Sequence, residues 1–171
     1  MIEPPDLPEY PAVDVDEAPT LRQFLDYQRT VVIRKVAGLS DHDASKPMTA
    51  SGLSILGVIK HLIDVERWWF GICFTGADLP LASSDDDPDA DFRIEPGETV
   101  EQIVAAYRAE IDSANRVIAG ASLDQHSVRP SRRLGKTISM RWILVHMIEE
   151  TARHAGHADL MRESLDGATG D

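Results

Sequence analysis

Four long stretches of the sequence carry apolar residues at helical spacing, and they constrain the fold more than any other feature. The stretches run from about Thr20 to Gly38, Ser54 to Phe70, Thr99 to Gly120 and Ser139 to Glu163. In each, apolar positions recur three or four residues apart, as in a helix that buries one face. Four such helices bury these faces by packing against one another. The pattern therefore predicts an all-α four-helix bundle.

The connection between the second and third helices indicates how they are ordered. Residues 71–98 show no regular pattern, and residues 85–91 are an acidic run without the Gly and closing Glu of an EF-hand. We interpret this run as a solvated loop. A connection of this length can return along the bundle, so the helices that it joins can run parallel. The expected topology is up-down-down-up, with a long crossover between helices two and three.

Composition and charge limit the class of protein. Residues 1–17 are acidic and Pro-rich and are expected to form an extended arm, with residues 18–171 as one domain. The net charge of −12 argues against nucleic acid and anionic membrane as partners. No apolar run approaches the roughly 20 residues that span a bilayer. The N-terminus lacks an export signal and there is a single cysteine, Cys73, so the cytoplasm is the expected location.

Polar residues line up on the last helix where apolar ones would be expected. His146, Glu150, His154 and His157 fall on one stripe, and His61 lies on the apolar face of the second helix. An inward carboxylate needs a partner, and a divalent cation shared with histidines provides one. Glu150 and His154 are one turn apart, and His61 would complete the set from the facing helix. Two imidazoles and one carboxylate suit Zn²⁺ with a coordination position left open, although Fe²⁺, Ni²⁺ or Mn²⁺ could also bind.

Other interpretations of these residues were weighed against the metal site. A single inward histidine is usually a packed core residue, and we favour a buried structural role for His146. One of Trp68 and Trp69 is expected to pack inward and the other to lie at a surface or subunit contact, which leaves a homodimer open. The basic stretch 129–133 is expected to be a solvated loop. The chain lacks His-Glu-x-x-His, Glu-x-x-His, G-x-S-x-G and phosphate-loop motifs, which argues against those enzyme classes.

Two segments together carry a resemblance to a known family. His61 in HLIDVERWWF and the last-helix segment HMIEETARHAGHADLMRE resemble the DinB/YfiT-like superfamily of four-helix bundles, which hold a metal near one end. The superfamily commonly has one histidine on the second helix and a His-x₃-His pair on the last. Here Glu150 replaces the first histidine of that pair. The same His, Glu, His set is typical of the mycothiol-dependent maleylpyruvate isomerase branch, so the resemblance implies His61, Glu150 and His154 as zinc ligands.

The resemblance implies a metal-dependent enzyme that uses a low-molecular-weight thiol such as mycothiol or bacillithiol. Such a site would conjugate the thiol to a small electrophile or catalyse a thiol-assisted isomerisation, because a metal favours the nucleophilic thiolate. His157 would then orient a ligand or carry a proton. Two alternatives remain open at this point. The metal could have only a structural role and stabilise the bundle of a non-catalytic stress-response or binding protein, with His157 as a fourth ligand. It could instead activate water in a hydrolase.

Overall fold

The computed structural model describes residues 1–170, which form a bundle of helices. Within that range there is no β-strand, only one isolated antiparallel bridge between His126 and Ser139. The all-α prediction is therefore confirmed. The α-helices, in chain order, are α1 (Glu17–Arg34), α2 (Asp41–Ser45), α3 (Ile55–Glu66), α4 (Val100–Ala119) and α5 (Met140–Asp166). No helix in the described chain has both the length and the apolar character needed to cross a bilayer.

Side-chain caps determine where the main helices begin. The hydroxyls of Ser54 and Ser139 accept hydrogen bonds from backbone N–H groups in the first turns of α3 and α5. Thr99 and Gln102 form the reciprocal capping box at the start of α4 that their spacing predicts. At the other end of α5, Gly167 has a φ of 79°, a left-handed conformation that favours glycine and ends the helix. Local sequence therefore accounts for these boundaries.

Polar contacts along α1 and α5 show that these two helices run parallel. Arg141, near the start of α5, donates hydrogen bonds to Glu17 at the start of α1. Arg162, near the end of α5, donates to the backbone carbonyls of Lys35 and Ala37, just beyond the end of α1. Contacts that join start to start and end to end require parallel helices.

The same reasoning shows that α3 and α4 run parallel to each other and opposite to α1. Lys60 pairs with Glu98 before α4 begins, and Arg67 pairs with Glu110 further along both helices. In contrast, Arg22 near the start of α1 donates to the carbonyl of Ile118 near the end of α4. The predicted up-down-down-up topology is therefore confirmed, with α1 and α5 in one direction and α3 and α4 in the other.

The second long helix extends further than its sequence predicts. Beyond Glu66, α3 continues without a break as a π-helical segment, Arg67–Phe74, so the predicted end at Phe70 is wrong. Phe70, Cys73 and Phe74 are buried in this segment. Burial of these apolar side chains outweighs the helix-weakening effect of Gly71.

The connecting segments also contain more helix than predicted. The crossover that begins after Phe74 includes a 3₁₀ turn, Ala90–Phe92, which packs against α3. The segment 40–52, predicted as turns alone, contains the one-turn helix α2, capped by Ser40. Short helical turns leave little periodicity in a sequence, so tertiary packing decides them. The 3₁₀ turn matters for function because it brings the acidic crossover against α3.

A close backbone approach holds that 3₁₀ turn against α3. A Cβ atom added at Gly57, one turn before His61, would lie 2.4 Å from the backbone oxygen of Phe92. The Gly57→Ala variant should therefore lose about 1–3 kcal/mol of unfolding free energy, the usual cost of overpacking. Denaturant unfolding measures this loss. Gly156→Ala is the control, because a Cβ there meets nothing within 4 Å and should leave stability unchanged or higher. Equal stability of the two variants would contradict the close packing.

Two apolar clusters fill the bundle, with buried polar residues between them along the helices. One cluster contains Val32, Ile59 and Tyr107, and the other contains Phe70 and Met147, together with their buried neighbours. Between the clusters, the guanidinium of Arg29 on α1 donates to both carboxylate oxygens of Glu66 on α3, at 2.7 and 2.6 Å. On α5 the residues between the clusters are Glu150, Thr151 and His154. The candidate site therefore lies within the bundle and not on its surface.

Candidate metal centre

The structure brings His61, Glu150 and His154 together, and we refer to these three as the His–Glu–His cluster. His61 projects from α3, while Glu150 and His154 project from neighbouring turns of the antiparallel α5. Oε1 of Glu150 lies 3.3 Å from Nε2 of His154 and 3.7 Å from Nε2 of His61. One donor atom from each residue lies within 4.8 Å of the other two. The cluster therefore presents two imidazole nitrogens and a carboxylate oxygen to a common point.

This donor set fits a divalent metal ion. Metal–ligand bonds of about 2.0–2.2 Å to nitrogen and oxygen place two ligands of one ion no more than about 4 Å apart. The three donors need only a small contraction from their 4.8 Å limit to reach that spacing. The side chains of His61 and Glu150 are 16% and 15% exposed, so an ion here would still be open to a small ligand from solution. These properties match a site with a free coordination position.

The charges of the cluster are already arranged for a cation. Hydrogen bonding with His154 and then with His61 lowers the pKa of Glu150 far below its ordinary value, although partial burial acts in the opposite direction. Burial disfavours the charged form of His61, but hydrogen bonds to Asp91 and Glu150 outweigh burial and raise its pKa. Glu150 is therefore anionic at neutral pH. A metal ion competes with protons for His61, so its affinity should fall in acid, and the raised pKa of His61 extends this competition to higher pH.

Asp91 supports the cluster, and sequence reasoning missed it. Its carboxylate is buried, and Oδ2 accepts a hydrogen bond from Nδ1 of His61 at 2.7 Å. This bond directs Nε2 of His61 toward Glu150 and holds the ring in one orientation. The neighbouring Phe92 also holds this ring, because the centres of the Phe92 and His61 rings lie 4.0 Å apart with an interplanar angle of 12°. The prediction that the whole acidic run is a solvated loop is therefore wrong for Asp91.

We expect Asp91→Ala to weaken metal binding without removing a ligand. Loss of the carboxylate that orients a metal-binding histidine commonly costs about 10- to 100-fold in metal affinity. Competition with a chromophoric chelator measures that affinity. Asp91→Asn, which keeps an acceptor oxygen, should lose less, and Asp86→Ala, an exposed position in the same acidic run, should lose nothing. Equal affinities for Asp91→Ala and Asp86→Ala would show that Asp91 does not orient His61.

The two other histidines of the α5 stripe lie outside the cluster. His157 is exposed, and its ring meets that of His154 edge to face at 5.5 Å. His146 stacks on Trp142 at 5.2 Å and meets Trp69 edge to face at 4.8 Å. The side chain of His146 is 25% exposed, so the expectation that it is buried is wrong, although it packs against two aromatic rings. It belongs to a half-exposed aromatic group beside the cluster.

Two cavities reach the cluster, one beside His154 and the other beside His61. One, of about 420 Å³, is lined by His154 and His157 together with Leu53 and Phe92. The other, of about 210 Å³, is lined by His61 and Asp91. A small molecule can therefore approach the cluster by two routes, which suits a reaction between two substrates.

The tandem tryptophans and the basic loop are also placed differently from expectation. Trp68 and Trp69 are both half-buried, so the expected division into one inward-packed and one surface tryptophan is not observed. Trp69 packs against Trp142, and the guanidinium of Arg132 lies 4.3 Å from the ring centre of Trp68. The loop 129–133 is thus anchored to the bundle at Arg132. Both indoles have partners within the chain, and a homodimer stays a prediction.

Cys73 takes no part in the cluster. It is fully buried in the π-helical segment, and its thiol donates a hydrogen bond to the carbonyl of Arg129 at 3.4 Å. Burial raises the pKa of this thiol, which keeps it protonated and unreactive. Any thiolate that binds at the cluster must therefore come from another molecule.

Comparison with known proteins identifies one family. The family model described as MST: Mycothiol-S-transferase matches residues 20–167, which covers the bundle from the first turn of α1 to the end of α5. A search among curated proteins found no match. The matched region contains all three residues of the His–Glu–His cluster, together with Asp91 and His157.

Proposed function

Because this chain belongs to the mycothiol S-transferase family, we propose that it transfers mycothiol to a small electrophile at a divalent metal held by His61, Glu150 and His154. The observation that carries the proposal is the convergence of three donors, none of them sulfur, on one point. A structural zinc normally has four protein ligands, whereas a catalytic zinc has three and an open position. Zn²⁺ suits this donor set best, with Ni²⁺, Fe²⁺ and Mn²⁺ as alternatives.

The bound metal would supply a positive charge that favours the thiolate form of a thiol at its open position. In the transfer, the thiol loses its proton and its sulfur forms a bond to carbon. The leaving group of the electrophile departs with the electron pair of the bond that breaks. Glu150 contributes a negative charge to the cluster, and Asp91 holds His61 in place. The chain thus contributes orientation and a positioned charge.

We propose that His157 accepts the proton that the thiol loses. Its imidazole lines the 420 Å³ cavity next to His154, and it is exposed to solvent, so it can pass a proton outward. An imidazole accepts and releases protons readily near neutral pH. The electrophile would enter this cavity, where Leu53 and Phe92 provide apolar contacts.

The His157→Ala variant should therefore keep its metal and lose activity. General acid–base groups commonly contribute about 100- to 10,000-fold, so we expect kcat to fall by about 100-fold or more. Metal analysis and steady-state kinetics on the same sample separate the two properties. Metal loss together with activity would instead assign His157 as a ligand, and unchanged kcat would remove its catalytic role.

The alternative in which the metal has only a structural role in the bundle receives less support. That alternative needs a fourth protein ligand, and His157 was the residue expected to provide it. Within residues 1–170, only His61, Glu150 and His154 gather into a cluster of this kind, and His157 is exposed. Two cavities also reach the cluster, whereas a structural site is normally closed.

Conjugation of a thiol to monochlorobimane tests the proposal. The metal-loaded protein is supplied with mycothiol, bacillithiol or glutathione, with and without added Zn²⁺. We expect metal-dependent transfer of mycothiol and little activity with the other two thiols. Metal-loaded protein that turns over none of the three would contradict the proposal. A thiol substrate and a buried reduced cysteine both suit a reducing compartment, so we propose the cytoplasm as the location.

A further inference from the structure

The cavity beside His61 opens into a second and larger one. The 210 Å³ cavity that contains His61 and Asp91 shares part of its wall with a cavity of about 450 Å³. The shared residues are Trp68, Leu81, Ser83 and Arg132. Together the two cavities form one groove, which runs from the His–Glu–His cluster along the π-helical segment to the start of the crossover. We refer to it as the crossover groove.

An aromatic ring and a guanidinium form the wall in the middle of the crossover groove. Arg132 lies over the ring of Trp68 at 4.3 Å, which fixes the plane of the guanidinium. Within the described residues, Arg132 makes no hydrogen bond or ion pair, in a chain with a net charge of −12. Its N–H groups are therefore available to acceptors on a molecule in the groove.

The far end of the groove has balanced charges. Its lining includes two carboxylates, two guanidinium groups and a hydroxyl, those of Asp78, Asp85, Arg129, Arg132 and Ser84. Asp78 and Asp85 form no ion pair within residues 1–170. Two carboxylates would repel an anion, and two guanidinium groups would repel a cation. A neutral molecule with many hydroxyls suits such a lining, because each hydroxyl both donates and accepts hydrogen bonds.

We propose that the crossover groove binds the sugar–inositol part of mycothiol, with its sulfur at the His–Glu–His cluster. This assignment rests on the proposed function, which places a thiol at the cluster. Hydroxyls of the sugar and inositol would bond to the N–H groups of Arg132, which Trp68 holds in place, and to the carboxylates of Asp78 and Asp85. The electrophile is then left with the separate cavity at His157. The groove would thus select mycothiol over thiols without a polyhydroxyl part.

The test compares two thiols in three proteins. N-acetylcysteine carries the reactive thiol of mycothiol without the sugar and inositol. In Arg132→Ala, KM for mycothiol should rise about tenfold, the loss expected for one or two hydrogen bonds to a charged group. KM for N-acetylcysteine should stay the same. Arg133→Ala removes the same charge from the neighbouring position, which lines neither cavity of the groove, and should leave both KM values unchanged.

Binding of S-methylmycothiol, which cannot react, provides a second measurement. Calorimetry with metal-loaded protein should show about tenfold weaker binding to Arg132→Ala than to Arg133→Ala. Asp78→Asn and Asp85→Asn should shift affinity in the same direction. Equal binding by Arg132→Ala and Arg133→Ala, or an equal rise in KM for both thiols, would overturn the groove assignment. If the unmodified protein binds metal but turns over no thiol, it is the proposed function that fails.

Discussion

The His154→Ala variant is expected to lose its metal and, with it, transfer of mycothiol. His154 provides one of three donors and is 8% exposed, so water cannot easily take its place without rearrangement of the cluster. Loss of an outer hydrogen-bonding partner costs about 10- to 100-fold in metal affinity, and loss of a ligand should cost more. Elemental analysis after dialysis against a weak chelator measures the metal content. Steady-state transfer to monochlorobimane measures activity.

Two further variants make this prediction specific. Glu150→Gln keeps the shape of the side chain but removes its charge, and we expect it to lose metal nearly as completely. His146→Ala alters the neighbouring aromatic group, outside the cluster, and should retain metal. Full metal content in both His154→Ala and Glu150→Gln would contradict the assigned ligands. Loss of metal from His146→Ala as well would point to general unfolding, which circular dichroism detects.

The Glu66→Ala variant should lose more unfolding free energy than the Gly57→Ala variant. Arg29 is 2% exposed, and its side chain donates to both oxygens of Glu66, whose side chain is fully buried. Asp26 and Asn115 accept from the remaining edge of the guanidinium. Removal of Glu66 leaves a buried cation without its main partner, which typically costs about 3–5 kcal/mol. Chemical denaturation of the metal-free protein measures this difference.

A double substitution and a surface pair serve as controls. Arg29→Met combined with Glu66→Leu removes both charges and should be more stable than Glu66→Ala, because no unpaired charge stays buried. Asp87 also forms a two-bond pair, with Arg93, but both side chains are exposed. Asp87→Asn should scarcely change the stability, because water solvates Arg93 in either case. Equal losses of unfolding free energy in Glu66→Ala and Asp87→Asn would show that the buried Arg29–Glu66 pair matters no more to stability than a surface pair.

Local spacing explains why much of the site could be predicted from sequence. Glu150 and His154 are four residues apart, and helical geometry alone places them on one face. His61 stands out because it interrupts an apolar face of α3. The capping box at Thr99 is equally local. The up-down-down-up order followed from the length of one connection, since a long crossover allows parallel neighbours.

Contacts between distant segments could not be predicted in the same way. Asp91 meets His61 across 30 positions of sequence, and it lies in an acidic run whose other members are mostly exposed. The stacking of Arg132 on Trp68 likewise joins a loop to a helix far away in the chain. The π-helical segment depends on burial of its aromatic side chains, which overrides the helix propensity of Gly71. Packing decides all three features.

Cobalt substitution tests most directly whether the sulfur of mycothiol binds a metal held by the His–Glu–His cluster. The metal-free protein is loaded with Co²⁺, whose absorption spectrum reports its ligands, and is then titrated with mycothiol. Cys73 is the only cysteine in the chain and is buried away from the cluster, so Cys73→Ser provides a background without a protein thiol. We predict a sulfur-to-cobalt charge-transfer band that appears with mycothiol in this variant and is absent when His61 is also changed to Ala. A cobalt-loaded protein whose spectrum does not change with saturating mycothiol would contradict sulfur binding at this metal.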